Sequence, residues 1–189
     1  MALLLRTARD HHQPAAYWPR AYALLLVLYA LCLCVDSLLA AGVDDLGYEK
    51  GHRDLDVRLK GGARKPKPVP PYVYYALIVC LNGRTEGFLF CTASGRQLDT
   101  PAVWRLIRSV AKRAGLPQVD SIHPHVMKHG AITHALGRPI ARIDKIQQWA
   151  DHRTPGPRSG TTAARSLLDD SPGYDLAASI AGAIDSVID

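Results

Sequence analysis

The densest chemistry in this chain lies in Pro124-His125-Val126-Met127-Lys128-His129-Gly130-Ala131-Ile132-Thr133-His134-Ala135-Leu136. Imidazole and ammonium groups at the head of a helix suit an anion such as phosphate, because first-turn N–H groups and the helix dipole favour negative charge there. Asp151-His152 follows one helix later, and Lys60 stands beside Gly61-Gly62 as a further cationic candidate. Each has a plainer alternative: His125 as a cap or core residue, His152 as an exposed turn histidine, Lys60 as a hairpin-tip lysine. His125 and His129 are one turn apart, with His134 beyond, but no carboxylate or cysteine completes a metal set. No metal and no cofactor is expected.

These residues need elements to hold them. Pro124 to Leu136 and Ala141 to Ala150 read as helices. Asp54-Leu55-Asp56-Val57-Arg58-Leu59 alternates with period two, and Lys60-Gly61-Gly62 turns the chain back. The return strand, Ala63 to Val69, carries Pro66 and Pro68, which donate nothing to a ladder, so it belongs at an edge. Pro70-Pro71 opens a helix through Leu81, Asn82-Gly83 turns, and Phe88-Leu89-Phe90 reads as a short buried strand. Asp99-Thr100-Pro101 starts an amphipathic helix that Gly115 stops. Its stripe is Val103, Leu106, Ile107 and Val110, while Arg105, Arg108, Lys112 and Arg113 lie mostly off it. That basic face is either solvated or tracks a DNA backbone. Residues 153–162 are turn-rich, and a mild helix spans Asp175 to Ile188.

The most apolar stretch is Tyr22 to Val35, in a helix predicted from about Arg20 to Ala41 and ended by Gly42. With Arg6, Arg9 and Arg20 ahead of it, it could be a membrane anchor. Its fourteen residues before Asp36 fall short of the roughly 18–20 a spanning helix needs. A helix apolar all round is equally the central helix of a folded core, and that is the expectation. Residues 1–19 read as an irregular leader. The 189 residues suffice for one domain with a real core, 48% of them are hydrophobic, and the formal charge is +6. Such an excess suits a polyanionic partner without requiring one. Cys32, Cys34, Cys80 and Cys91 form no C-x-x-C pair, consistent with free thiols in a reducing compartment.

Several of these stretches together resemble the catalytic domain of the tyrosine recombinases, the phage-integrase and Xer-like family. Tyr29-Ala-Leu-Cys-Leu-Cys-Val-Asp-Ser-Leu-Leu39 is similar to that family's Tyr-Ala-Thr-Gly-Leu-Arg-Val-Ser-Glu-Leu-Leu, and Val43-Asp-Asp-Leu46 follows as it does there. Arg58-Leu-Lys-Gly-Gly62 with Val69-Pro70 resembles the hairpin whose lysine enters the active site. Leu89-Phe90 through Ser94-Gly-Arg-Gln-Leu98 resembles the strand and loop before the next helix. His125-x-x-Lys128-His129 stands for His-x-x-Arg-His, and Ala150-Asp151-His152 for Leu-Gly-His. The resemblance covers roughly residues 20–180. It implies an α+β fold, mostly helical, with a small antiparallel sheet, over residues 20–189. The helical core-binding domain that usually precedes this unit is expected to be absent.

The resemblance also implies a chemistry. A tyrosine oxygen attacks a DNA phosphodiester, forming a 3′-phosphotyrosyl link and releasing a 5′-hydroxyl. Two arginines and histidine-type donors stabilise charge on the non-bridging oxygens, and a hairpin lysine protonates the departing oxygen. Carried over, Lys60 matches the acid, His125 the first histidine, His152 the later one, and Lys128 replaces the second arginine. Cys34 replaces the first arginine, and Thr161 stands where the nucleophile belongs. Lysine keeps the charge but loses the planar fork, the thiol offers neither, and an alkoxide is a poorer leaving group than a phenolate. Each lost donor costs about 10²–10³ in rate. Tyr174, near the C-terminus, could be named as a substitute nucleophile, but Ser-Pro-Gly-Tyr suits a packing residue at a helix start.

The expectation is therefore a site-specific recombinase or integrase by lineage, binding DNA weakly through its backbone, that no longer cleaves. It would be cytoplasmic and nucleoid-associated, with DNA and other recombinase protomers as its partners. Two other readings stand beside it: a non-catalytic partner of active recombinases, and a small membrane-anchored protein.

Overall fold

Helix α2, Trp18–Ala30, is the axis of the molecule. Every residue from Ala21 to Leu33 is at most 6% exposed, because the sequence offers no polar side to turn outward. Around it pack helices α1 (Ala2–Asp10), α4 (Pro71–Leu81), α6 (Pro124–Leu136) and α8 (Pro172–Asp185). Helices α3 (Val35–Leu39), α5 (Thr100–Arg113) and α7 (Ile143–Trp149) complete the helical set among the described residues. The computed structural model describes residues 1–10, 18–117, 119–139, 141–151 and 170–185. No helix of the described residues is long and apolar enough to cross a membrane. The buried-core expectation for this segment holds, and the anchor reading loses its basis.

Two expectations need correction. Residues 2–10 are not irregular: they form α1, with Leu4, Leu5, Thr7 and Ala8 buried. The leucine and alanine positions recur at the three-to-four spacing of one helix face, a signal masked by the polar run that follows. Nor does one helix run from Arg20 to Ala41. It breaks after Ala30, where Cys32 adopts a left-handed φ of 53°, and resumes as α3 from an extended Cys34. The break lets Leu33 and Val35 stay buried while Cys34 faces outward.

Strands β1 (Leu46–Glu49), β2 (His52–Arg58) and β3 (Arg64–Pro68) form an antiparallel sheet in the order β1-β2-β3. The hydrogen bonds Val69 N–H to Arg53 O and Leu59 N–H to Ala63 O put the odd-numbered β3 positions on the ladder. Pro66 and Pro68 therefore occupy the alternate positions, whose missing N–H groups would have pointed away from β2. The same parity turns Lys65 and Lys67 to the face of their partners Val57 and Leu55, which lies in the core.

The amphipathic helix is as predicted, with the Asp99 carboxylate accepting from Ala102 N–H at 2.6 Å. Phe88-Leu89-Phe90 is not a strand. Only isolated bridges form there, Gly42 with Phe88 and Cys91 with Gln97, so this segment is buried by Leu89 and Phe90 rather than by a ladder. Helix α8 begins at Pro172, earlier than the expected Asp175, and residues 186–188 of that predicted helix lie outside the described ones.

Gly173, in the first turn of α8, lies so close to the end of α2 that an added Cβ would come within 2.5 Å of Ala30 O. Gly173→Ala is expected to cost about 1–3 kcal/mol by overpacking. Gly182→Ala, whose added Cβ meets nothing within 4 Å, should instead gain about 0.4–1 kcal/mol. Urea unfolding of both variants checks the opposite signs.

Candidate functional site

The break after α2 and the first turns of α6 build the site. Pro124 starts α6 with the φ a helix requires and no N–H to satisfy. His125 and Lys128 are then three apart and share a face, while Met127 and Ala131 bury the other. Lys128 is half-buried, and its Nζ lies 3.6 Å from Cys34 Sγ across the gap between α6 and the break. Beneath it, Cys32 Sγ donates to Lys128 O at 3.9 Å, and burial pushes this thiol up to about 12. Of the two neighbouring thiols, the outer one alone faces the site.

His125 is exposed, and its ring meets His123 edge-on at 6.0 Å. His123 in turn stacks on Trp104 of α5 at 5.5 Å, and Arg108 lies over the Trp104 ring at 5.4 Å while donating to Asp120 O. Part of the basic face of α5 is thus tied into an aromatic cluster behind His125. Lys60 is exposed at the hairpin tip, where Gly61 and Gly62 take φ of 100° and 87°. His152 and Thr161 lie outside the described residues. The Tyr174 hydroxyl pairs with His52 Nδ1 at 2.8 Å, joining α8 to β2. His134 pairs through Nδ1 with the Tyr29 hydroxyl at 2.8 Å, so of the three α6 histidines it is engaged with the core.

A helical shell around one buried helix, a three-stranded edge sheet and a histidine-lysine helix opposite a helix break together make up the unit that carries the site. The sequence model described as the phage integrase family matches residues 2–156. The chain belongs to that family. It is 30% identical over 135 residues to tyrosine recombinase XerA of Pyrococcus furiosus, covering 68% of this chain and 45% of that protein. It is 33% identical over 158 residues to tyrosine recombinase XerC of Rhodospirillum centenum, covering 80% of this chain and 44% of that one. The chain thus spans about half the length of the curated relatives it matches. The fold is similar to the crystal structure of XerA recombinase, with a TM-score of 0.64 at 22% identity over 95% of this chain and 60% of that one. It is also similar to XerH site-specific recombinase bound to difH substrate in a pre-cleavage complex, with a TM-score of 0.67 at 15% identity over 94% and 51%.

Against the integrase pattern, the structure brings Cys34 and Lys128 together, the two positions where arginines are expected. It also exposes a set of residues that the sequence reading passed over. Asp151, left-handed at φ 56°, closes α7. Its carboxylate takes Lys65 Nζ at 2.8 Å on one oxygen and Lys67 Nζ at 2.6 Å on the other. Lys65 also donates to Gln148 O at 2.6 Å, and Lys67 to Trp149 O. Both cations thus sit on the carbonyl end of α7, where positive charge is favoured. Lys67 is 1% exposed. Burial drags its ammonium down to about 8, against the upward pull of Asp151. The parity of β3 was the signal for this pair: prolines at the alternate positions leave Lys65 and Lys67 together on one face of the strand, the one that Leu55 and Val57 share.

Because the folded-state pKa of Lys67 lies below its unfolded value, the folded chain binds fewer protons between roughly pH 8 and 10.5. The cost of its burial is in full force below pH 8 and is relieved as pH rises through that window. Wild type is therefore expected to gain stability relative to Lys67→Met across it. Urea unfolding of both at pH 7.5, 9 and 10.5 measures that difference, and parallel pH profiles would contradict the assignment.

Proposed function

We propose that this chain is a recombinase-family catalytic domain that grips DNA backbone phosphate without cutting it. The observation that carries the reading is the Cys34–Lys128 pair, 3.6 Å apart where the family pattern places two guanidiniums. A single ammonium can attract a phosphate as a point charge, but it lacks the bidentate fork that holds the non-bridging oxygens in register. With a thiol at the first position and Thr161 in place of a tyrosine at the expected nucleophile position, transition-state charge goes unmet and the sequence offers no phenol there to attack.

The residues that support binding are Lys128, His125 and Lys60, with His152 proposed as a fourth from sequence alone. Such contacts are sequence-independent and weaken steeply with salt. The unit that carries them is residues 20–189, to which α1 adds a packed helix. Association with intact recombinase protomers and residence with the nucleoid belong to the same reading.

A nicked, labelled duplex that traps covalent intermediates tests cleavage directly. No protein–DNA adduct is expected on a denaturing gel, and an adduct at any residue would overturn the reading. Retention on duplex DNA should fall linearly in log–log form with salt. Lys128→Ala should reduce that slope by about 1. Cys34→Arg, restoring a fork donor at the exposed position, should tighten binding by about tenfold. Equal slopes for wild type and Lys128→Ala would remove Lys128 from the site.

A further inference from the structure

We propose that Asp151, Lys65 and Lys67 form a positioning latch: two β3 ammonium groups grip one carboxylate at the exit of α7 and so fix the Lys60 hairpin against the break that carries Cys34. As far as it concerns DNA, this rests on the phosphate-binding reading above. The latch itself rests on geometry.

Three observations carry it. Each carboxylate oxygen of Asp151 has its own ammonium, at 2.8 Å and 2.6 Å, and both ammoniums come from one strand. Lys67 is 1% exposed, so this is no surface pair that water can replace, and a buried cation without its anion is strongly disfavoured. The network also continues toward the site. Lys67 donates to Trp149 O, and the Trp149 indole donates to Ala30 O at 3.2 Å, the last residue of α2 before the break. Within the break, Cys32 Sγ donates to Lys128 O. The Cys32 thiol feels the charges of Lys128, Lys67 and Asp151. The hairpin, the end of α7 and the break are thus pinned to one another through Asp151 and Trp149.

Asp151 occupies the position where the family pattern has glycine, and here a left-handed backbone is held by a side chain that also binds. Asn tolerates that backbone region well, so Asp151→Asn removes the charge while sparing the turn. Two readouts distinguish positioning from bulk stability. In the absence of DNA, the alkylation rate of exposed Cys34, followed by peptide mass spectrometry, is expected to change about threefold in Asp151→Asn through coupling across the network. On DNA, the loss of retention caused by Lys60→Ala is expected to shrink or vanish in the Asp151→Asn background. Lys65→Ala should reproduce both effects in a chain that keeps the buried pair. An unchanged Cys34 rate, or a Lys60→Ala cost that stays the same in both backgrounds, overturns the latch, even where the melting temperature falls. If wild type shows no salt-dependent retention, the DNA reading fails, and the Cys34 rate alone decides the latch.

Discussion

A helix buried on every side must end inside protein, and the carbonyls of its last turn still need donors there. In this chain that constraint falls on Ala30. Its carbonyl accepts the Trp149 indole N–H at 3.2 Å, and Gly173 lies against it because no other residue leaves the room. The end of α2, the end of α7 and the start of α8 therefore meet at one point. The break that follows, with Cys32 left-handed and Cys34 turned outward, depends on how that junction is packed. The candidate site is assembled on its outer side.

Charge is handled differently on the two sides of the junction. Outside, Lys128, His125 and Lys60 are half-buried or exposed and available to an anion. Inside, Lys67 is held by Asp151 and by a helix-end carbonyl, which lowers the penalty of burying it without abolishing it. The sheet makes this possible, because a proline-bearing edge strand places its lysines on the core face and still satisfies the ladder. On the outer surface, Arg64 reaches Asp56 at 2.7 Å and also pairs with Asp45. Those exposed pairs fix little by themselves.

Most of the helical elements were legible because their ends are written in local chemistry. Asp99 with Pro101, Pro124 and Gly115 mark termini through caps and fixed φ angles, and Lys60-Gly61-Gly62 marks the hairpin. The break at residues 31–34 was not legible, since Leu31-Cys-Leu-Cys34 contains neither glycine nor proline and its left-handed residue is a cysteine. Helix α1 was hidden for a related reason: nine residues form a marginal helix alone, and it is packing on α2, α5 and α8 that holds it. The segment Phe88–Phe90 has the composition of a strand, but no neighbouring strand is available to pair along it. At the site, the resemblance to the integrase pattern assigned Cys34 and Lys128 to the two arginine positions, and their 3.6 Å contact came from the tertiary structure. The pairing of Lys65 and Lys67 with Asp151, more than eighty residues away in sequence, was not anticipated.

The sequence by itself carried the resemblance to the family and determined most of the later helices, the hairpin with its edge strand, and the central buried helix. The family rests on the resemblance of those motifs, whereas the elements follow from apolar periodicity, turn residues and caps, each of which acts within a few residues. Tertiary structure alone decided where the central helix breaks, which thiol faces outward, and which lysines are buried against a carboxylate rather than offered to solvent. Those outcomes turn on the environment of a charge or a carbonyl. That environment is set by groups brought together from distant parts of the chain.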